Sequence, residues 1–190
     1  MPRKISTQSL AITLAIALMV IVTRGHHFAS IDFLPSASYA AFFIAGYYLR
    51  SSMMFIALLA LCAGLDMAAI TWGGVSNFCV TPAYGFLLPA YGTMWLAGRW
   101  TAANTSWAFS SLFKLSGMVV VASAVAQFFS SGGFYFFGGR YPDPTLVEFG
   151  ARLVKYYPKQ LEAIAFWVVV ALIVHVVFGL AKRASVHKNA

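Results

Sequence analysis

The sequence predicts an all-α integral membrane protein, a bundle of six transmembrane helices, and three observations carry that expectation. Of the 190 residues, 61% are hydrophobic and only 9% are charged, against roughly 45–50% and about 25% in soluble domains. Such an apolar surplus cannot be hidden inside one soluble core. The apolar residues run continuously over helical lengths, without the alternation over about 10 residues that marks a membrane-spanning strand. The few basic residues lie among the ends of these runs, where topology signals sit.

The first span covers about residues 6–23 and follows Arg3 and Lys4. That flank is like a signal peptide's, but no small-residue cleavage site follows, so the span is expected to be retained. The second span, 35–49, and the fourth, 86–97, are short. Pro35, Pro82 and Pro89 predict that these two begin obliquely or bend. The third, fifth and sixth spans, 53–70, 107–130 and 160–180, are long enough at about 1.5 Å per residue to cross a core of roughly 30 Å.

With the N-terminus inside, Arg3, Lys4, Arg50, Arg99, Lys114, Lys182, Arg183 and Lys188 fall on the inner side. Arg24, Arg140, Arg152, Lys155 and Lys159 fall outside. This bias predicts that both termini are cytoplasmic. The acids Asp32, Asp66, Asp143, Glu148 and Glu162 all fall on the outer side or in the outer part of a helix. The mixed polar chemistry is therefore expected to face outward. Three outer connections follow, 24–34, 71–85 and 131–158. The last holds GGFYFFGGRYPDP, whose glycines and prolines are expected to break helix. The net charge of +8 comes without a basic run interleaved with aromatics, which argues against nucleic acid. No GxxxxGK[ST] motif occurs, so ATP hydrolysis by this chain alone is excluded.

The connection Thr71–Tyr84, TWGGVSNFCVTPAY, holds one of two cysteines. Cys79 reads either as a small buried hydrophobe or as a ligand. Cys62 lies mid-span, about 12 Å below the outer end, too deep for a disulfide whose Cα atoms must approach within about 7 Å. One cysteine does not make a zinc site. A soft thiolate can, however, fill a single axial position on a metal already held by a macrocycle.

Asp66 lies in the outer part of the third span, where an acid is expensive and marks a partner or a site. Arg152 is the candidate partner and Arg24 its rival. Trp72, Phe78, Tyr84, Tyr135 and Tyr141 read as an interfacial aromatic belt, with the Tyr84 hydroxyl nearest the cysteine. His26 and His27 are adjacent and therefore poor joint chelators. His175 reads as a satisfied packing residue, and Met53, Met54 and Met67 as core filler. Ala11 and Ala15 form a small-residue pair at i and i+4, suited to close helix approach within this chain or with another.

Six spans in 190 residues, the Ala11–Ala15 pair and aromatic outer loops resemble the S-components of energy-coupling factor (ECF) transporters. Cys79, with Asp66 before it and Tyr84 after it, is similar to the pattern of the BtuM family of vitamin B12 S-components. The resemblance implies a multi-pass protein of the bacterial inner membrane that binds cobalamin as its transported substrate. It implies docking on an ECF module, a transmembrane coupling subunit with two ATPases, through Ala11 and Ala15. Cys79 would coordinate the corrinoid cobalt and promote loss of cyanide from cyanocobalamin. Asp66, Tyr84 and Arg152 would line the pocket, with Trp72 and Phe78 as further ligand-binding candidates. The competing expectations are an S-component for another vitamin with Cys79 structural, an assembly subunit, or a membrane thiol oxidoreductase. The last would want a CxxC pair that the chain lacks.

Overall fold

Six of the apolar runs form α-helices in the computed structural model, which describes residues 6–24, 34–49, 51–106 and 108–188. Side chains are described to residue 180, except that of Cys79. His26, His27 and Asp32 lie outside the described residues. The helices are α1 (Thr7–Thr23), α2 (Ser38–Tyr48), α3 (Ser52–Trp72), α4 (Leu87–Asn104), α5 (Ser110–Phe137) and α6 (Leu146–Lys188). No strand occurs among the described residues.

Helices α3 and α5 and the stretch Leu146–Leu180 of α6 are long and apolar enough to cross a membrane. Helix α1 is also apolar but has 17 residues. The Ser6 hydroxyl starts it by accepting the Ser9 N–H at 3.1 Å, which satisfies one of the orphan donors of the first turn. The second expected span contracts most, to the 11 residues of α2. Such a helix rises only about 16 Å, roughly half a hydrocarbon core. It is the core: Ala40 to Ala45 are all buried.

The tightest packing joins α2 to α4. A Cβ on Gly46 would stand 2.1 Å from the Trp95 carbonyl oxygen, and one on Gly98 2.0 Å from that of Phe43. The two helices therefore meet backbone to backbone. Phe42 stacks on Tyr91 with ring centroids 4.3 Å apart. Val20, Met94 and Ile164 complete this centre with almost no exposure.

The expected long connection 131–158 is mostly helix. Helix α5 continues through Gly132 and Gly133 to Phe137, and α6 begins at Leu146 and runs through Pro158. Only 138–145 remains irregular. The glycines do not break α5; they seat neighbours. A Cβ on Gly133 would stand 2.3 Å from the Phe86 ring, and one on Gly132 3.2 Å from that of Phe149. Of the three methionines expected to fill core, only Met54 packs against it. Met53 and Met67 are 72% and 55% exposed, as a lipid-facing surface allows.

The first turns of α6 present two stripes. Glu148, Arg152, Lys155, Lys159 and Glu162 recur at intervals of three and four residues, one face of a helix. Val147 and Val154, 86% and 78% exposed, lie on an adjacent face.

Gly46→Ala or Gly98→Ala is expected to destabilise the bundle by about 1–3 kcal/mol through overpacking. Gly64→Ala, whose new methyl meets nothing within 4 Å, is expected to be neutral or to stabilise by up to about 1 kcal/mol through helix propensity. Circular-dichroism melts in detergent read both.

Candidate functional site

Arg24 ends α1 and still bonds the Val20 carbonyl through its backbone N–H. The residue is only 9% exposed. Its Nε donates to Asp66 Oδ1 and its Nη2 to Asp66 Oδ2, both at 2.8 Å. Its Nη1 donates to Ser38 Oγ at 2.7 Å and to the Tyr91 hydroxyl at 2.8 Å. The bidentate pair is the strongest geometry open to arginine and carboxylate. Tyr84 completes it by donating its hydroxyl to Asp66 Oδ2 at 2.7 Å. Burial pushes the Tyr84 phenol above its ordinary range, and the bond to Asp66 adds to that. The phenol therefore stays a protonated donor. One cation thus joins α1, α2, α3, α4 and the turn that precedes α4.

The connection between α3 and α4 is held at several points. Gly74 adopts φ +66°, and the Val75 N–H reaches back to the Ala69 carbonyl at 3.1 Å, the left-handed helix end that glycine favours. Two 3-10 turns follow, Asn77–Cys79 and Pro82–Phe86. Tyr84 fixes the second turn to Asp66. Phe78 fixes the first: its carbonyl accepts from Arg140 Nε at 3.2 Å. The Arg140 guanidinium also lies 4.7 Å from the Phe78 ring centroid. The same ring rests against Phe134 at 5.6 Å.

Phe134 is one wall of a cleft of about 400 Å³ between α5 and α6, lined also by Gln127, Tyr141, Arg152 and Gln160. Arg152 donates from Nε and Nη2 to Glu148 Oε1 at 3.1 and 2.9 Å, and from Nη1 to the Tyr141 hydroxyl at 3.1 Å. Its guanidinium lies 4.4 Å from the Tyr141 ring centroid. Tyr135 donates to Glu148 Oε2 at 2.9 Å and accepts the Thr145 N–H at 3.1 Å. Gln160 Nε2 is buried with no hydrogen-bond partner among the described residues. Flat aromatic walls, a cation and an amide donor suit a planar ligand carrying carbonyl or carboxylate groups.

The expected site residues divide between two neighbouring clusters. Asp66 and Tyr84 bond each other, whereas Phe78 and Arg152 border the cleft. The pairing of Asp66 with Arg152 is corrected, because Arg152 is held by Glu148 one turn away and Arg24 takes the acid. Trp72, 81% exposed at the end of α3, is in neither cluster. The Cys79 backbone lies in the first 3-10 turn, while its side chain is outside the described part of the structure. Cys62 is buried and forms no disulfide. Ala11 and Ala15 are exposed on α1. His175 is satisfied by the Tyr48 hydroxyl, 2.9 Å from Nδ1. Among the described residues, no group of three His, Cys, Asp or Glu side chains can hold a metal ion.

Ser38, Tyr91, Gln127 and Gln160 escape the sequence reading. For Gln127 a signal existed, since it is an amide inside an apolar span. No protein-family model matches the chain, and no curated protein is similar to it.

Asp66→Asn leaves the Arg24 cation buried without its anion and is expected to cost roughly 3 kcal/mol. The double variant Arg24→Met/Asp66→Leu is expected to recover much of that loss in the same thermal melt. Tyr84→Phe is expected to cost about 1–2 kcal/mol and to speed amide hydrogen exchange across 73–86, leaving α3 protected.

Proposed function

We propose that this chain is the substrate-binding membrane subunit of a vitamin-uptake system, and that its substrate is vitamin B12 or a related corrinoid. One observation carries the reading. Phe78, the residue before Cys79, rests on Phe134, a wall of the α5–α6 cleft. A cysteine-bearing turn thus borders an aromatic, amide-rich cleft.

The chemistry follows from the substrate. A corrinoid is a flat macrocycle with amide arms around a cobalt that takes two axial ligands. Phe134 and Tyr141 offer flat faces, while Gln160 offers an amide donor and Arg152 a cation to amide carbonyls. The Cys79 sulfur would give its lone pair to cobalt(III), and cyanide would leave with the electrons of the cobalt–carbon bond. The thiol proton passes to cyanide, and the oxidation state of cobalt does not change. A free thiol has pKa about 8.5, and coordination to the metal deprotonates it.

In this reading the six-helix bundle lies in the bacterial inner membrane with both termini cytoplasmic, and α2 is enclosed within it without spanning it. The exposed face of α1 meets the ECF module. That face carries Ala11 and Ala15 between Leu10, Leu14 and Leu18, which are 50%, 60% and 60% exposed. Small residues among large ones give a second helix a place to approach.

A second reading has its own support. The cleft volume of about 400 Å³ lies at the small end of ligand pockets. That favours a smaller planar vitamin, with Cys79 structural.

Purified protein is expected to turn red with cyanocobalamin and to shift the absorption bands of the bound vitamin. Cys79→Ser is expected to leave those bands as in free cyanocobalamin. Equal shifts in both proteins would refute the cobalt-ligand role. A thermal-shift panel separates the readings, since a ligand at about 100 times its Kd stabilises by roughly 2.7 kcal/mol. Stabilisation by another vitamin and not by cobalamin would establish the second reading.

A further inference from the structure

At the opposite end of the bundle lies a second cavity, of about 440 Å³. It is formed where the last turn of α2, the end of α4 and the start of α5 face α6. Ile44, Leu112, Leu115, Val168 and Leu172 make its apolar wall. Thr105 and Ser106 make a polar rim held from below by the buried Ser111, whose Oγ accepts the Ser106 N–H at 3.0 Å, and the hydrogen-bonded Tyr48–His175 pair closes one side. This cavity and the aromatic cleft share no lining residue.

Two features identify an occupant. The first is the direction in which the cavity opens. Phe109, among the lining residues, is 76% exposed. On α6, the lining residue Val176 is 37% exposed and its neighbours Val177 and Phe178 are 57% and 70% exposed. A mouth framed by exposed apolar side chains opens towards acyl chains and not towards water. The second is charge. Lys114, one turn into α5, directs its Nζ to within 3.5 Å of the Asn104 carbonyl, the residue before the rim residues Thr105 and Ser106. Among the described residues no Asp or Glu lines the cavity. An apolar slot with a hydroxyl rim and a lysine beside it is complementary to one kind of molecule in a bilayer, a lipid with an anionic headgroup.

We infer that this cavity holds a single anionic phospholipid, with an acyl chain between α5 and α6 and the headgroup at the Thr105–Ser106 rim beside Lys114. The site is independent of the vitamin reading.

Native mass spectrometry of the full chain in mild detergent tests it, with phosphatidylglycerol and phosphatidylcholine of matched chains as probes. Wild type is expected to keep one phosphatidylglycerol per chain in preference to phosphatidylcholine. Ala171→Trp fills the slot and is expected to lose the bound lipid. Ala108→Trp blocks the mouth at an exposed position, and is expected to fold as wild type by its thermal melt and to lose the lipid too. Lys114→Gln is expected to lower the headgroup preference roughly fivefold, the equivalent of ~1 kcal/mol for one lysine at an anionic surface. Retention of phosphatidylglycerol by Ala108→Trp at the wild-type level would overturn the proposal. So would a wild type that holds neither lipid, as a docking cleft for a partner helix would, or that holds both equally.

Discussion

A buried arginine organises one end of this molecule. Arg24 spends its hydrogen bonds on Asp66, Ser38 and Tyr91, and Asp66 in turn holds Tyr84. Withdrawing both charges from water costs about as much as their attraction returns. The network therefore contributes position more than stability. It fixes the start of α2, a helix too short to be placed by membrane thickness, and it anchors the turn that leads into α4. Remove the acid and five segments lose their common reference point.

Close packing does the rest. Between helices surrounded by lipid there is little hydrophobic drive, so contact rests on small residues that let backbones approach. Gly46 and Gly98 supply that contact between α2 and α4, and Gly133 supplies it for Phe86. Phe86 lies where the second 3-10 turn becomes α4 and stacks on Phe137 at 5.2 Å. The connection that contains Cys79 is thus bound at its far end to α5 as well as to Asp66.

Helix positions were legible in the sequence because long apolar runs have few alternatives. Their ends were less so. Glycine marks either a break or a seat for a neighbour, and only the packed neighbour distinguishes them. Gly132 and Gly133 therefore read as loop when they are helix. Order along the chain does not decide the partner of Asp66, since the charge pattern puts both Arg24 and Arg152 on the same side. Burial decides it: Arg24 is enclosed, while Arg152 has Glu148 within a turn. The shortness of α2 was hidden because a fully buried helix and a spanning helix are equally apolar. Tyr84 and Asp66 each stand out in the sequence, but their bond spans 18 residues and follows only from how the second 3-10 turn folds back on α3.

The two stripes at the start of α6 have a consequence for the bilayer itself. From Glu148 to Glu162 the ionic side chains cover about 21 Å of helix axis, and charge at that depth must stay hydrated or lie against protein. The flank bearing Val147 and Val154 favours hydrocarbon over about 10 Å of that length. The level at which water gives way to lipid is therefore not the same on all sides of this helix. Where hydrocarbon reaches these turns it is favoured against the valine flank, and water is favoured against the ionic one.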